Sequence, residues 1–384
     1  MNHRHNKLRK QAGWMMACVL LMAAPAAYAA KDLLELPALT SAKAAKAMLL
    51  GVVQTGGRYI AVGEYGLIVY SDDQGKTWQQ AQVPVSVTLT AVYFQTPSKG
   101  WAVGHDGVIL NTVDGGKKWV KQFDGNKANA IVIDAAAKRL KDFKSTLSEP
   151  LSELAAADLS KLENSFEDAK AGGRFGPSRP LFDVRFKNES EGMVVGSFGQ
   201  VFRTVDGGLN WGLLATPIDN PDGFHYNALS VMPSGALVIS CEAGKLFRSQ
   251  DGGLTWTLID TGYAGQLYGV LGLADVSGKD VLLAYGFGGH VFRSADDGVS
   301  WRKADTGTKK SVVAGLVLAD ASVLMVTQNG HLLRSADQGL TFQHDNTPLA
   351  TSVVAMSRST ATGDVMIAGA KGVMMVSTKK AKAK

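Results

Sequence analysis

The sequence predicts an all-β chain: a seven-bladed β-propeller with a helical hairpin inserted between blades two and three. Three observations predict it. An eight-residue motif returns six times, its copies are spaced like propeller blades, and in one stretch, residues 127–170, strand signals give way to helical periodicity. The motif reads Ser/Thr-x-Asp-x-Gly-x-Thr-Trp in the copy from Ser249 to Trp256. Its aspartates are Asp73, Asp114, Asp206, Asp251, Asp296 and Asp337, and its aromatic ends are Trp78, Trp119, Trp211, Trp256, Trp301 and Phe342.

This pattern is the Asp box, or bacterial neuraminidase repeat, and its chemistry is that of a turn. The carboxylate accepts hydrogen bonds from turn N–H groups. The glycine takes a backbone conformation that a side chain disfavours. The Ser or Thr hydroxyl adds a local bond to the backbone. The tryptophan leads into the next strand and brings a large ring to bury between sheets. The motif is therefore read as a folding device between the third and fourth strands of a repeat, not as a catalytic site.

Trp78 and Trp119 are 41 residues apart, Trp211, Trp256 and Trp301 follow at 45, and Phe342 comes 41 later. A period of about 40–50 residues holding four short strands is a propeller blade. The 92-residue gap from Trp119 to Trp211 is one period plus an insertion.

At the start, Arg4, Lys7, Arg9 and Lys10 precede an apolar run, Trp14 to Ala24, and a small-residue site, Ala27-Tyr28-Ala29. That order is a secretory signal peptide over residues 1–29, which implies export to the periplasm. Its removal takes the formal charge from +6 to about +2. Residues 379–384 form a basic tail, and the charge that remains gives no reason to expect a nucleic-acid partner. With Cys18 in the leader, Cys241 is the one cysteine of the mature chain, so no intrachain disulfide is expected and a buried strand thiol is.

Residues 30–47 carry no Asp box and are expected to supply the outer strand of the last blade. The propeller is expected over residues 48–378. Blade one takes Met48 to Val53, Tyr59 to Gly63, Leu67 to Ser71 and Thr77 to Gln82 as its strands, and blade two repeats the order from Leu89. Over residues 124–180, Ile133, Ala136, Leu140, Phe143 and Leu147 fall at helical spacing, as do Leu151, Leu154, Leu159, Leu162 and Phe166. Pro150 is placed to open the second helix and Gly172-Gly173 to end it. Blades three to six start near Leu181, Tyr226, Leu267 and Val312. A seventh, from Ser352, ends before any Asp box.

Asp boxes occupy one face of such a ring. The insertion and the turns between second and third strands occupy the other. Those turns hold Glu64-Tyr65, His105-Asp106, Ser197-Phe198, Glu242-Ala243, Phe287-Gly288, Gln328-Asn329 and Ala370-Lys371. Tyr65, Phe198 and Phe287 are candidate anchors for a protein partner, with packing on the insertion or on one another as the structural alternative. His105, Asp106 and Glu242 are the one group that suggests a metal or acid–base site, and a single histidine with scattered carboxylates makes a weak case. Arg203, Arg248, Arg293 and Arg334 each precede the Ser/Thr of an Asp box. They form an arc that either binds an acidic segment of a partner or bonds carbonyls of the adjacent blade. No catalytic residue, metal or cofactor is expected.

The run from Gly100 to Gly116, with Gly-Trp-Ala-Val-Gly and Thr-Val-Asp-Gly-Gly at its ends, resembles the signature repeat of the photosystem II assembly and stability factor family. Leu181 to Trp211 repeats it. The resemblance extends over essentially the whole mature chain and implies a non-enzymatic helper of membrane-complex assembly. In non-photosynthetic bacteria it implies an exported accessory protein, often encoded beside transporters of the resistance-nodulation-division type. The helical insertion and the plain signal peptide depart from the photosynthetic pattern.

Two further readings belong to other classes. Asp boxes occur in sialidase-like glycoside hydrolases, which need an arginine cluster, a Tyr nucleophile and a Glu. The Phe-Arg-Ile-Pro stretch of those enzymes is absent, and the repeated arginines stand at the Asp-box end of the third strand, away from a pocket on the opposite face. A module binding a polysaccharide or small ligand in the central channel is the other. The reading carried forward is a scaffold, monomeric on its own, that docks a membrane protein or membrane complex.

Overall fold

Seven antiparallel sheets succeed one another along the chain, six of four strands and a last one of three. The structure is a computed structural model that describes residues 32–148, 150–344, 349, 351–360 and 362–378. The signal peptide and the basic tail expected from the sequence lie outside the described residues. The inner strands are Leu49–Thr55, Leu89–Phe94, Leu181–Phe186, Tyr226–Val231, Leu267–Ala274, Val312–Val317 and Val353–Arg358. The second strands are the core of each blade. Gly100–Gly104, Gly192–Gly196, Val323–Thr327 and Val365–Gly369 are buried at every position. Blades cover both of their faces, which is why they read as unbroken apolar runs rather than as alternating ones.

The fourth strands are short. Blade one pairs only Gln79–Gln80, where the sequence suggested Thr77 to Gln82, and blades three, five and six likewise pair two residues. Short, polar outer strands leave little edge for another chain to extend. Every inner strand is irregular in register after its first residue. The second strand ends there on Gly63, Gly104, Gly196, Gly286 or Gly369 in five blades. A Cβ on Gly104 would stand 2.2 Å from the Thr88 carbonyl oxygen, so the close approach excludes a side chain.

The N-terminal segment does not do what the sequence suggested. Among the described residues it supplies no strand to blade seven. Residues 32–41 instead follow blades one and two, where the Ser86 N–H donates to the Leu33 carbonyl (2.8 Å) and the Ala38 N–H to that of Val83 (3.1 Å). Leu34 is buried among Val83, Val85 and Trp119. Only the short 3-10 turn Ala44–Lys46 reaches blade seven, packing Ala44, Ala45 and Ala47 near Val373 and Met375. Pro37 has no N–H and the Ala/Lys run has no β-branched residue, so neither favours a ladder. The ring closes instead by packing. Met366 and Ala368 of blade seven share a core with Leu49, Val52 and Tyr59 of blade one. The Gln54 N–H donates to Ser357 Oγ at 3.0 Å across the same seam.

Two helices interrupt the ring after blade two, α1 (Gly125–Ser145) and α2 (Glu153–Arg174). Asp124 caps α1, accepting from the N–H groups of Asn126 and Lys127. Helix α2 opens at Glu153, capped by Ser152, rather than at Pro150. The feet of the hairpin are locked together, with Asn129 Nδ2 donating to the Gly176 carbonyl at 3.0 Å. Ala128 is buried against the Trp101–Phe186 core, with Ile131 and Val132 beside it. Further out the helices pack on each other, and Leu154, expected in the apolar stripe, is 73% exposed. Among the described residues no helix is long and apolar enough to cross a membrane.

Candidate partner-binding face

The face opposite the Asp boxes is built from a repeated tight turn. In blades one, two, three and five the chain leaves the second strand through one 3-10 turn: Glu64–Gly66, His105–Gly107, Ser197–Gly199 and Phe287–Gly289. The middle residue is left-handed, with φ of 55° at Tyr65, 55° at Asp106 and 53° at Phe198, and a left-handed glycine follows each. Two successive left-handed residues make the turn that suits a twisted hairpin. At Gly66 a Cβ would lie 2.0 Å from the Val85 carbonyl oxygen, so the turn also seats on the link to the next blade.

These turns hold three aromatic rings in solvent, Tyr65 and Phe198 at the left-handed middle position and Phe287 at the first position, ahead of left-handed Gly288. Tyr65 is 69% exposed, Phe198 58% and Phe287 59%. The rings do not stack on one another, and the Tyr65 ring has no partner among the described residues. Phe198 alone is engaged, by the His225 ring at 4.6 Å and by the Arg179 guanidinium at 5.5 Å. The Phe287 carbonyl accepts from the Tyr263 hydroxyl at 3.1 Å, and Tyr263 joins His290 and Phe292 in a small aromatic cluster. Arg179, His225, Tyr263 and His290 went unremarked in the sequence because they sit in links and strand starts outside the repeat. Burial holds the His290 imidazole below its usual pKa, with Lys303 adding to the effect.

His105 is exposed at the foot of α1. Burial pushes the neighbouring Asp106 carboxyl up, which His105 partly offsets. Glu242, grouped with them in the sequence, is instead held in blade four, with His225 Nδ1 at 3.2 Å and Gln266 Nε2 donating at 3.2 Å. The three do not form one site. Among the described residues no cluster of three His, Cys, Asp or Glu side chains stands ready for a metal. Cys241 is fully buried, and burial pushes its thiol pKa far up, so it is no nucleophile at neutral pH.

The Asp-box face is self-satisfied. In blade one, Asp73 accepts from Ser71 Oγ (2.8 Å), the Thr77 N–H (2.8 Å) and Thr77 Oγ1 (2.6 Å), and Trp78 Nε1 donates to the Gly75 carbonyl (3.1 Å). The bonds from Thr77 hold Asp73 down to about 2. Those from Asn210 do the same for Asp206, and those from Ser300 for Asp296. Burial raises Asp337, but the bonds from Thr341 and Ser335 outweigh it and leave it at about 2. Asp114 and Asp251 are held low in the same way. Each box tryptophan stands one residue ahead of its fourth strand. Trp119 and Trp211 are buried, while Trp78, Trp256 and Trp301 are half-buried.

The arginine arc is engaged inside the ring. Arg334 Nη2 donates to the Thr378 carbonyl (3.0 Å) and Arg293 Nε to that of Gln338 (3.0 Å), each in the next blade. Arg248, 9% exposed, meets Asp280 at 3.3 Å and Asp297 at 2.9 Å. Arg203 pairs with Glu191 of its own blade at 3.2 Å. Arg293 and Arg334 thus bond carbonyls of the adjacent blade and Arg248 bonds carboxylates there, while Arg203 stays within its own blade.

Fold and face together define an Asp-box propeller whose one face is closed on itself and whose other presents aromatic rings and a helical hairpin. A family model described as "Photosynthesis system II assembly factor YCF48" matches residues 70–136 and 176–301, together about half of the chain. The chain belongs to this family. It is 28% identical over 153 residues to the photosystem II assembly protein Ycf48 of Synechococcus sp. (strain JA-2-3B'a(2-13)), an alignment covering 38% of this chain and 42% of that relative. The chain thus spans less than half the length of the curated relative it matches. Among solved structures it is similar to YCF48 bound to D1 peptide (TM-score 0.61, 18% identity, 90% of this chain and 100% of that one). It is similar also to YCF48 from Cyanidioschyzon merolae (TM-score 0.60, 16% identity, 87% and 96%). The WD40 propeller of Doa1 superposes with a TM-score of 0.58 at 10% identity, covering 90% and 96%. These structural likenesses are likenesses of fold.

Proposed function

We propose that this chain is a non-catalytic scaffold, exported to the periplasm, that docks a segment of a membrane protein on its turn face and assists assembly or action of the complex. A transporter of the resistance-nodulation-division type is the partner class that the family resemblance suggests. One observation carries the reading: Tyr65, Phe198 and Phe287 are each more than half exposed on tight backbone turns and do not pack on one another, and among the described residues only Phe198 has a ring partner, His225. Large rings fixed in advance lose little entropy on binding and are common anchors of protein interfaces. Family membership supports the scaffold role, and the relative solved with a D1 peptide supports a polypeptide as the ligand.

The test is a cross-linked pull-down from the source membranes, comparing the wild-type chain with a Tyr65→Ala/Phe198→Ala/Phe287→Ala variant. Capture of one membrane protein by the wild type, lost in the triple variant with its melting temperature unchanged, is the expected result. Equal capture by both moves the contact off this face. Capture by neither sinks the scaffold reading and turns attention to glycoside and small-ligand screens.

A further inference from the structure

The hairpin leans over the outer part of blade three and leaves a cleft of about 320 Å³ between them. Its floor is apolar, made by Val132 and Ala136 of α1, Ala169 of α2, and Phe202, Leu213 and Ile218 of the ring. Its rim carries two guanidiniums, Arg139 of α1 and Arg179 of the return leg, against one carboxylate, Asp168 of α2. Neither arginine has an ion pair or hydrogen bond among the described residues. This separates them from the four arginines of the opposite face, every one of which is engaged.

Arg179 is nevertheless positioned. Its guanidinium lies 5.5 Å from the Phe198 ring and close over Gly172, where a Cβ would come within 2.9 Å of Nη2. A guanidinium stacked on a ring keeps its in-plane donors free for a carboxylate. Phe198 extends the apolar floor out to the turn face, so the cleft and the aromatic anchor form one continuous surface. The cleft is near the lower end of ligand pockets, which run from about 300 to 1,000 Å³, and it suits a side chain or two rather than a whole cofactor.

We infer that this cleft is the specificity site for an acidic, apolar peptide segment of a protein partner. An Asp or Glu of the segment pairs with Arg139 and Arg179, and an adjacent Leu, Ile, Val or Met enters the cleft beside Phe198. The inference rests on the scaffold reading above and narrows it to one part of the face. Two guanidiniums without an ion pair, in excess over the one rim carboxylate and set above an apolar floor, favour that combination because the charge-assisted bonds form at the rim while the apolar side chain leaves water. Segments that are only acidic lack the burial, and segments that are only apolar leave the guanidiniums without a partner.

The experiment is selection of a displayed random octapeptide library on the whole chain, followed by fluorescence anisotropy with the selected peptides. The expected result is enrichment of an acidic residue next to an aliphatic one. Affinity should then fall about tenfold or more in Arg139→Gln/Arg179→Gln, with salt sensitivity lost. Both substitutions are at the cleft rim, and an unchanged melting temperature shows that the fold is intact. Ala169→Leu, which fills the cleft without touching the charges, should weaken binding as well. Selected peptides without acid, peptides that bind the arginine variant equally, or no enrichment at all would each overturn the inference. These outcomes are separable from failure of the scaffold reading. A pull-down that depends on Tyr65 and Phe287 but not on the arginines keeps the scaffold and removes the cleft. Cleft-dependent peptide binding without membrane capture does the reverse.

Discussion

The two faces of the ring are made from the same repeat and treat polar groups in opposite ways. On the Asp-box face the carboxylates, hydroxyls and arginines are answered locally: Asp73 by Thr77 and Ser71, Arg293 and Arg334 by the next blade, Arg248 by two aspartates. On the turn face Tyr65 and Phe287 lie in solvent, and Arg139 and Arg179 make no ion pair among the described residues, though Asp168 shares their rim. Repetition builds the first face, because each blade needs the same turn and the same staple. The second face carries what the repeat does not require, and that is where a partner can add contacts that the fold itself leaves unmade.

Acid tests the self-satisfied face hardest, because it acts on all six boxes together. Asp73, Asp206, Asp296 and Asp337 have folded pKa values of about 2, below the ordinary carboxylate value of about 4. Lowered folded values mean that the boxes stabilise the ring above the unfolded pKa and lose that contribution as pH falls through the folded one. Melting temperature should therefore be flat from neutral pH to about 4 and collapse between about 4 and 2. Asn at Asp73 and Asp337 should lower the neutral plateau and shallow the acid limb. An unchanged limb would mean that the boxes do not govern acid unfolding.

A single staple comes next. Arg248→Ala leaves Asp280, 3% exposed, without its cation, though Ser234 still donates to it. An uncompensated buried charge should cost about 3 kcal/mol, read as a lower urea midpoint. A loss below about 1 kcal/mol would show that solvent reaches the pair and would blur the contrast between the faces.

The hairpin should matter less to the ring than any box or staple. Replacing residues 125–176 by a short Gly/Ser link removes Ala128, Ile131 and Val132 from the Trp101–Phe186 core and should cost about 2 kcal/mol. Cooperative unfolding of the remaining ring is the expected calorimetric result. A ring that fails to fold would make the insertion part of the core rather than an added surface. The smallest effect is expected at the tip, where Lys144 meets Glu163 at 2.7 Å with both side chains about half exposed. Lys144→Ala should change stability by less than about 0.5 kcal/mol.

Much of this was legible in sequence. Six Asp boxes at regular spacing announce blades, and paired apolar stripes across residues 133–166 announce two helices. Both signals are local, since a turn needs its Asp and Gly within a few residues and a helix its stripe within a few turns. The place of Tyr65, Phe198 and Phe287 in turns between buried strands was also legible, but not whether the rings pack or lie in solvent. The N-terminal segment was not. Pro37 and the Ala/Lys run disfavour a strand, but where the segment lies is set by the surfaces that bury Leu34 and Ala44, with Val83 on one side and Val373 on the other. Nor did helical periodicity show that Leu154, in the first turn of α2, would be exposed.

By itself the sequence determined the blade type, the number of blades, the inserted hairpin and which face each turn occupies, because these follow from short-range patterns repeated in register. Tertiary structure alone decided three things. It decided that Arg248, Arg293 and Arg334 are consumed as staples while Arg139 and Arg179 are not. It decided that Glu242 joins His225 rather than His105, and that the hairpin leans over blade three to enclose a cleft. Each depends on which groups meet across tens or hundreds of residues. A charge reads the same in sequence whether its counter-charge lies beside it in the fold or is absent.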